Sequence, residues 1–571
     1  MDLKKLVFLL FIISFINGFS QGDLSVKNSF SKTYFKNPLN IPLKLSGTFG
    51  ELRTNHFHAG LDIKTQQKEG LKVYASADGY VSRIKISLWG YGKALYVTHP
   101  NGYTTVYAHL KKFNATIEKY IKQNQYKKES FEIQVFPKTN ELPIKSNEVI
   151  AYTGSTGGFV GPHLHFEIRD SKTEKPINPM LFGISIKDDI RPTINTLIGY
   201  SLNDNSAINQ ISIPVQIPFK KLKNGNLLAT KITAFGTIGF GINAFDQLNG
   251  AANKNGLYDL KMLVNGEKQF DFKASSFSFS KSKYINLLID YQRFAELKQR
   301  IQKCFIEPQN KLTLYNSPKN GYINIKDGYN YTINIIASDF RGNTRLITIP
   351  IQGKKQPILV KEEENKTPYK IDYTKFSKFT QNGVTIAFPK NTFYKNLYLD
   401  FEVSDTLAKI HTPIVPLNKK FTLTFNVSKY NQEARKQLYI AYVNESGNAS
   451  YQPTVKKDST FYTLTKKLGN YKLMTDSIAP IIKLKNFKDK QWLTHYNYLK
   501  VKINDVGSGI KSYRGEIDGS WILMEYNVKK GILTYNLKDK KFSVAKHQLK
   551  VTVTDNAGNK TTLNSTFFRK K

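Results

Sequence analysis

The chain has 571 residues, of which 40% are hydrophobic and 22% charged, so it exceeds the size of one domain and can bury several cores. Its formal charge of +40 is scattered rather than gathered in basic blocks that interleave with aromatic residues, which argues against a nucleic-acid partner. The single cysteine, Cys304, excludes an internal disulfide, and we expect it to be a small buried apolar residue. Abundant Tyr and Phe, with frequent Thr, Val and Ile, favour an all-β-dominated fold.

The N-terminus has the pattern of a signal peptide. Lys4 and Lys5 precede an apolar run at 6–16, and Gly18 and Ser20 are the small residues that a signal peptidase reads. The run is shorter than the about 20 residues that span a bilayer. We therefore predict cleavage after residue 20, no transmembrane anchor, and export to the periplasm, the cell envelope or the outside. An uncleaved anchor is the alternative.

Residues 21–187 are predicted to form an antiparallel β domain. Short apolar runs alternate there with turns that contain glycine, as expected of half-buried strands, at 71–75, 79–86, 94–98 and 104–108. The polar segment 114–128 differs, because Ile117, Tyr120 and Ile121 would share one face of a helix. It reads as a helical insertion between strands.

An internal repeat predicts two copies of one β module, at residues 188–353 with insertions and at 476–571. The pentapeptide DDIRP at 188–192 recurs as DSIAP at 476–480. Between the copies, residues 354–475 are predicted to form a charged linker followed by a third β-rich unit.

A second element of the repeat is Asp-x-x-Gly-Asn, at 339–343 and again at 555–559. This is turn chemistry, because Asp accepts backbone N–H bonds while Gly and Asn tolerate a positive φ. With alternating strands near 331–336 and 548–553, it predicts immunoglobulin-like β-sandwich modules. Ca²⁺ binding by these aspartates between modules is the alternative, although a turn explains them without a metal.

Three separated motifs carry the histidine chemistry. They are HAGLD at 58–62, YAHL at 107–110 and GPHLHFE at 161–167. His163 and His165 are two residues apart, so on a strand they share one face. Both could hold a metal, or one could bind while the other works beside it.

A catalytic zinc site needs three protein ligands and an open position. His58, Asp62 and His165 would supply two nitrogens and one oxygen, which leaves His109 and His163 for acid–base work or for stabilising an oxyanion. A lone histidine in a strand is more often structural, but the clustering of four histidines in three motifs argues against that interpretation here.

The motif series resembles the M23 family of metallopeptidases, the lysostaphin or LytM-type peptidoglycan endopeptidases. The resemblance covers roughly residues 45–170 and includes supporting pieces such as Gly90-Tyr-Gly92 and the segment 149–154. It implies an antiparallel β LytM-type peptidase domain with an open groove, ahead of the β-sandwich modules.

Carried over residue by residue, the family implies that His58, Asp62 and His165 bind Zn²⁺ and that His109 and His163 are catalytic. Glu167 then has no metal role and is interpreted as a supporting carboxylate. His56 is left outside the predicted site, because a solvated histidine needs no function.

The resemblance implies a zinc metalloendopeptidase that cuts stem peptides or cross-bridges of bacterial peptidoglycan. One alternative is a catalytically silent LytM-type regulator, but such regulators usually lack motif histidines that this chain keeps. Another is a secreted protease that acts on ordinary proteins. The C-terminal modules could engage an envelope partner. We expect residues 21–187 alone to cleave a soluble muropeptide, unless the module that follows completes the groove.

Overall fold

The computed structural model describes residues 30–158, 161–361, 363, 365–405, 407–541 and 544–569. Strands dominate these residues and pair mostly antiparallel, so the predicted all-β class is confirmed. The predicted signal peptide lies outside the described residues. Within the described part, no helix combines the length and apolarity needed to cross a membrane.

The described part of the N-terminal unit, up to residue 187, is built on two main sheets and a short β2–β3 pair. Its strands are β1 (Leu45–Gly47), β2 (Leu52–Arg53), β3 (His56–Phe57), β4 (Leu61–Lys64), β5 (Lys72–Tyr74), β6 (Gly79–Ile86), β7 (Lys93–Thr98), β8 (Tyr103–Ala108), β9 (Leu110–Phe113), β10 (Ile133–Val135), β11 (Pro143–Ile144), β12 (Val149–Thr153), β13 (His163–Asp170) and β14 (Pro176–Ile177). The larger sheet has the order β1-β4-β13-β8-β7-β6-β10, and the smaller has the order β5-β12-β9. The central strands β4, β13 and β8 carry most of the histidine motifs.

The predicted insertion helix is confirmed. It is α1 (Ala115–Lys128), and it begins where the side chain of Asn114 accepts a hydrogen bond from the backbone N–H of Ile117. Ile117 and Ile121 are buried and Tyr120 packs against the same core. The remaining helices are short: α2 (Ile285–Leu288), α3 (Tyr291–Leu297), α4 (Gln432–Gln437) and the 3₁₀ turns Pro179–Phe182 and Ser282–Tyr284.

The second unit, residues 188–353, forms a large sheet of its own. Its strands are β15 (Thr193–Ser201), β16 (Ala207–Ile208), β17 (Val215–Gln216), β18 (Phe219–Lys221), β19 (Leu227–Ala229), β20 (Ile232–Phe245), β21 (Asp259–Val264), β22 (Glu267–Lys273), β23 (Gln302–Lys303), β24 (Ile323–Ile325), β25 (Asn330–Ser338) and β26 (Thr344–Gly353). The order is β17-β15-β20-β26-β25-β21-β22, with β20 and β26 parallel. Cys304 is fully buried in this unit, as expected.

The third and fourth units each place two sheets around one core. The third contains β27 (Lys370–Ile371), β28 (Ser377–Gln381), β29 (Val384–Phe388), β30 (Leu397–Tyr398), β31 (Phe401–Ser404), β32 (Leu407–Ile410), β33 (Phe421–Asn426), β34 (Leu438–Val443), β35 (Ala449–Tyr451), β36 (Val455–Lys457), β37 (Thr460–Thr465) and β38 (Gly469–Thr475). The fourth contains β39 (Ile481–Leu484), β40 (Gln491–Trp492), β41 (Tyr498–Asn504), β42 (Ile510–Ile517), β43 (Ser520–Trp521), β44 (Met524–Asn527), β45 (Ile532–Asn536), β46 (Lys546–Asp555) and β47 (Lys560–Phe568). Both have the layered arrangement of a β-sandwich.

The hydrophobic core does not stop at the end of the N-terminal unit. One continuous cluster of buried residues joins Phe49 and Phe57 to Phe277 and to the sheet of the second unit. The ring of Phe277 lies 5.3 Å from the ring of Phe49 and 5.3 Å from that of Phe57. The first two units therefore share a core, unlike the third and fourth units, which have their own.

The fourth unit folds back onto α1 and the strand beside it. Lys93 Nζ lies 2.9 Å from a carboxylate oxygen of Glu525, and Lys122 Nζ lies 2.8 Å from one of Asp539. The ring of Tyr126 meets that of Trp521 edge-on, with centroids 5.3 Å apart. The predicted insertion therefore serves as a contact surface for the last module.

Candidate active site and metal centre

Strand register brings the metal-ligand candidates together. In the antiparallel pair β4–β13, His165 lies directly opposite Asp62. On the other side of β13, His165 lies opposite Ala108, the last residue of β8, so His109 follows at the same end of the sheet. His163 shares the face of His165 because side chains two apart on a strand point the same way. His109 has a positive φ of 59°, which bends the chain as it leaves the sheet.

Three donor atoms converge at this point. Asp62 Oδ1 lies 3.0 Å from His58 Nε2 and 2.8 Å from His165 Nδ1, and the two ring nitrogens are 3.1 Å apart. Atoms that bind one Zn²⁺ at about 2.0–2.2 Å can be at most about 4.4 Å apart. The separations fit that limit, and two imidazoles with one carboxylate form a donor set suited to catalytic zinc.

The polar atoms of these three residues that face away from the metal position have hydrogen-bond partners of their own. His58 Nδ1 lies 2.7 Å from the carbonyl oxygen of Thr48, and His165 Nε2 lies 2.8 Å from Glu167 Oε1. Arg53 donates to Asp62 Oδ2 over 2.9 Å. Such contacts fix the ring orientation and tautomer of metal-binding histidines. The supporting role expected of Glu167 thus has a specific contact.

The site contains two buried carboxylates, Asp62 and Glu167, each paired with an arginine. Burial alone would raise the pKa of Asp62, but His58 and His165 hold it well below its usual value. Burial likewise opposes ionisation of Glu167, yet Arg169 and His165 lower its pKa to about 2. His165 sits between these carboxylates, and its hydrogen bonds to them outweigh burial and raise its pKa to about 9. The pocket therefore stabilises positive charge where the three donor atoms meet.

His109 and His163 lie beside the donor atoms. Their pKa values are lowered, whereas the pKa of His165 is raised. Their ring centroids are 4.6 Å apart, and His163 Nε2 is 3.7 Å from Asp62 Oδ1. Burial and the neighbouring imidazoles lower the pKa of His109 to about 3, and burial also lowers the pKa of His163. Each is oriented through Nδ1, at 2.9 Å from the carbonyl of Thr156 and 3.1 Å from that of Gly161. Both are neutral imidazoles, so either can accept a proton.

All five residues predicted from the motifs thus meet in one cluster. His56, which was left out, is exposed at the rim, with Nδ1 2.7 Å from the carbonyl oxygen of Thr54.

Tyr91 belongs to the site, although the sequence analysis assigned no role to it. Its ring packs against that of His165 with centroids 5.1 Å apart, and its hydroxyl donates to Glu167. Burial and the adjacent carboxylate raise its pKa well above the ordinary value, so the phenol keeps its proton. The signal was present in the Gly90-Tyr-Gly92 motif, but spacing alone does not say which side of the site a tyrosine reaches.

The second unit forms one wall of the cavity in front of His58 and His165. This cavity has a volume of about 260 Å³, and the second unit lines it with Phe279, Ser280, Ser282 and Lys283. Ser282 Oγ accepts the backbone N–H of Phe57 over 2.9 Å. No motif marks residues 279–283, because their proximity to the site arises from tertiary packing.

Two family profiles match the chain. Residues 56–126 match Peptidase family M23, and residues 368–476 match the Zu5-like domain. The first range contains His58, Asp62 and His109. The second range coincides with the third β-rich unit, in which the sequence analysis identified no functional motif.

Curated relatives match over the N-terminal unit. The DD-carboxypeptidase/endopeptidase Mpg of Neisseria meningitidis serogroup B is 34% identical over 142 residues, 24% of this chain and 26% of Mpg. The cell division protein DipM of Caulobacter vibrioides is 30% identical over 138 residues, 24% of this chain and 19% of DipM. The matched part spans about a quarter or less of these relatives.

Among solved structures, the catalytic domain of lysostaphin from Staphylococcus simulans matches with 23% identity. The match covers 25% of this chain and 93% of that domain, with a TM-score of 0.19. The family profile and the curated relatives thus match the N-terminal unit of this chain to peptidase family M23.

Proposed function

We propose that this protein is an exported zinc metalloendopeptidase that hydrolyses peptide cross-links of bacterial peptidoglycan. The observation that carries the proposal is the convergence of three buried donor atoms, from His58, Asp62 and His165, beside two neutral imidazoles. A cavity opens in front of His58 and His165. A relative described as a DD-carboxypeptidase/endopeptidase supports peptide-bond hydrolysis as the reaction.

In this proposal His58, Asp62 and His165 hold Zn²⁺. When bound, Zn²⁺ supplies Lewis-acid activation of water and of the scissile carbonyl. Thr48 and Glu167 keep the two histidine rings in the orientation that presents His58 Nε2 and His165 Nδ1 to the ion. Arg53 holds the Asp62 carboxylate in place, and the two histidines lower its pKa so that it stays ionised.

His109 and His163 are the proposed catalytic residues. As neutral bases beside the donor atoms, one accepts a proton from the attacking water and returns it to the leaving amine. The other ring also gives its Nδ1 hydrogen to a carbonyl, so it can donate from Nε2 to the oxyanion at the scissile carbonyl once it carries a second proton. Their contacts to the carbonyl oxygens of Thr156 and Gly161 orient both rings through Nδ1.

Export follows from the predicted signal peptide at 1–20, with the periplasm or the outer envelope as the site of action. The modules after residue 187 are proposed to carry an envelope partner. Two other functions use the same fold. A silent regulator of wall hydrolases is disfavoured because all five motif positions are kept, and a protease acting on ordinary proteins would use the same residues.

Digestion of purified peptidoglycan tests the proposal. The zinc-loaded protein should release muropeptides with new amino termini, identifiable by mass spectrometry, and the zinc-loaded variant His109→Ala should release none above background. Cleavage of casein but not of peptidoglycan would favour the general protease. Stoichiometric zinc without cleavage of either substrate would favour the regulator.

A further inference from the structure

Two clusters of aspartates occupy equivalent places in the second and fourth units. The first carboxylate cluster is Asp188, Asp246 and Asp339, and the second carboxylate cluster is Asp476, Asp505 and Asp555. In each, one carboxylate oxygen from every member lies within 4.8 Å of those of the other two. Each cluster combines the two repeated motifs with a third aspartate from elsewhere in its module.

Turn geometry accounts for two of the three members. In the first cluster, Asp339 Oδ1 accepts the backbone N–H groups of Gly342 and Asn343 over 2.7 and 2.9 Å. In the second, Asp555 Oδ1 accepts those of Gly558 and Asn559 over 2.6 and 2.8 Å. The predicted Asp-x-x-Gly-Asn turns are therefore confirmed. Asp188 and Asp476 likewise accept the backbone N–H two residues further on, over 3.0 and 3.2 Å.

The third member has an oxygen that no turn explains. Asp246 is 3% exposed, and among the described residues no donor reaches its Oδ1. Asp505 Oδ1 is also buried without a donor, although its Oδ2 accepts from Gly507 and Gly509. A buried oxygen with no partner is costly, so its repetition at the same place in two modules requires a cause.

Among the described residues, neither cluster forms an ion pair with a basic side chain. Within the described ranges, no Lys, Arg or His nitrogen comes within 4.0 Å of any of the six carboxylates. Burial and the two neighbouring carboxylates raise the pKa of Asp246 to about 7, and burial with Asp339 raises that of Asp188 to about 6. Burying three unpaired carboxylates is unfavourable unless a cation joins them.

A second observation comes from the N-terminal unit. Thr48 lines a small cavity together with Asp188 and Asp246, and its buried Oγ1 has no hydrogen-bond partner among the described residues. The cavity volume, about 20 Å³, is near that of a single small occupant. Thr48 is 6% exposed, so its hydroxyl is a further buried oxygen beside the first cluster.

We propose that each carboxylate cluster binds one Ca²⁺ ion. Carboxylate and hydroxyl oxygens are the hard ligands that Ca²⁺ prefers, and its bonds of about 2.3–2.6 Å allow ligand oxygens up to about 5 Å apart. The oxygen separations within each cluster, all under 4.8 Å, fit that reach. The donor sets contain no nitrogen or sulfur, which disfavours Zn²⁺ at these places.

The first ion has a consequence for the peptidase site. It lies at the junction of the first two units, beside the side chain of Thr48. The backbone carbonyl of this same residue accepts the hydrogen bond from His58 Nδ1. Ca²⁺ at the first cluster therefore fastens the loop that orients His58. The second ion stabilises the junction of the third and fourth units, where the backbone N–H of Asp476 donates to the carbonyl oxygen of Gln437 over 3.0 Å.

Calorimetric titration of the full chain tests the proposal. Protein freed of metal by chelator and reloaded with one equivalent of zinc should bind two Ca²⁺ per chain and melt at a higher temperature with Ca²⁺ present. Asp246→Asn and Asp505→Asn should each retain one Ca²⁺, and the double variant none. Asp189→Asn is the matched control, because this exposed neighbour lies outside the cluster, and it should bind two.

Loss of charge relieves repulsion in the clusters, so both Asn variants should fold at least as stably as the metal-free parent. Wild-type protein that takes up no Ca²⁺ at millimolar concentration would overturn the proposal. So would Ca²⁺ uptake that is the same in the parent and in the double variant. Both readouts are independent of peptidase activity.

Discussion

Phe57 and Ser282 are 225 residues apart in sequence and joined by a 2.9 Å hydrogen bond from the backbone N–H of Phe57 to the hydroxyl of Ser282. Phe57 immediately precedes His58, and Ser282 lies on the wall of the cavity in front of that histidine. The second unit is therefore part of the structure that positions the site. This contact argues against the expectation, drawn from the sequence, that residues 21–187 form an independent domain.

A fragment of residues 21–187 is predicted to be poorly folded. Without the second unit, Phe49 and Phe57 lose Phe277 and become exposed, at a cost of about 1.5–3 kcal/mol for each large apolar side chain. A fragment of residues 21–361 keeps this core and should fold and cleave a soluble muropeptide. Circular dichroism melting and the hydrolysis rate of both fragments measure the difference. A short fragment that is folded, zinc-loaded and as active as the longer one would contradict the prediction.

The local sequence pattern was sufficient to predict the parts of the site that lie on strands. The runs at 79–86 and 104–108 appear as β6 and β8, and a two-residue spacing placed His163 and His165 on one face. The helix at 114–128 was readable because its apolar residues recur at helical spacing.

Contacts between distant segments were not readable in the same way. Lys283 and Phe279 carry no motif, and they reach the cavity only because two units share a core. The buried Oδ1 of Asp246, which accepts no hydrogen bond from the described residues, could not be predicted from the sequence either. Asp246 lies outside the repeated motifs and approaches them only in the folded module.

Glu167→Gln is predicted to weaken zinc binding by about 10- to 100-fold while leaving the fold intact. The carboxylate holds His165 Nε2 and is itself held by Arg169, so an amide would loosen the ring and remove buried negative charge. Competition with a fluorescent zinc chelator measures the affinity. Glu174→Gln is the control, because Glu174 also contacts Arg169 but is more exposed. Equal zinc affinity in both variants would show that the contact to His165 is dispensable.

Lys283→Ala is predicted to raise KM for a muropeptide about tenfold with little change in kcat or zinc content. Lys283 lines the cavity, and its ammonium, 3.5 Å from the carbonyl oxygen of Asn418, can turn to a carboxylate of a stem peptide. A charged hydrogen bond of this kind contributes about 1.5 kcal/mol. Lys281→Ala, two residues away and not lining the cavity, serves as the control. A fall in kcat with unchanged KM would place Lys283 outside substrate binding.

Stability of the Ca²⁺-free protein is predicted to fall as pH rises from about 4 to 7. Asp246 has a pKa raised to about 7 in the folded state by burial, Asp188 and Asp339, against about 3.9 in an unfolded chain. The folded state therefore holds the proton more tightly, and this contribution, complete below pH 4, is lost as pH passes 7.

The first carboxylate cluster can be isolated by comparing melting temperatures across pH. Asp246→Asn should show a shallower fall than the parent between pH 5 and 8, and saturating Ca²⁺ should offset the fall in the parent alone. Parallel curves for the parent and the variant would show that the cluster does not titrate in this range.

The central claim is that His58, Asp62 and His165 bind zinc while His109 and His163 act on the substrate. The most direct measurement is zinc content by elemental analysis together with cleavage of a purified cross-linked muropeptide dimer, for the parent, His165→Ala, His109→Ala and His163→Ala. The parent should hold about one zinc per chain and split the dimer, and His165→Ala should lose both metal and activity. His109→Ala and His163→Ala should keep the zinc and lose activity by about 10²-fold or more. A His109→Ala protein stripped of zinc as completely as His165→Ala, or a zinc-loaded parent that leaves the dimer intact, would contradict the account.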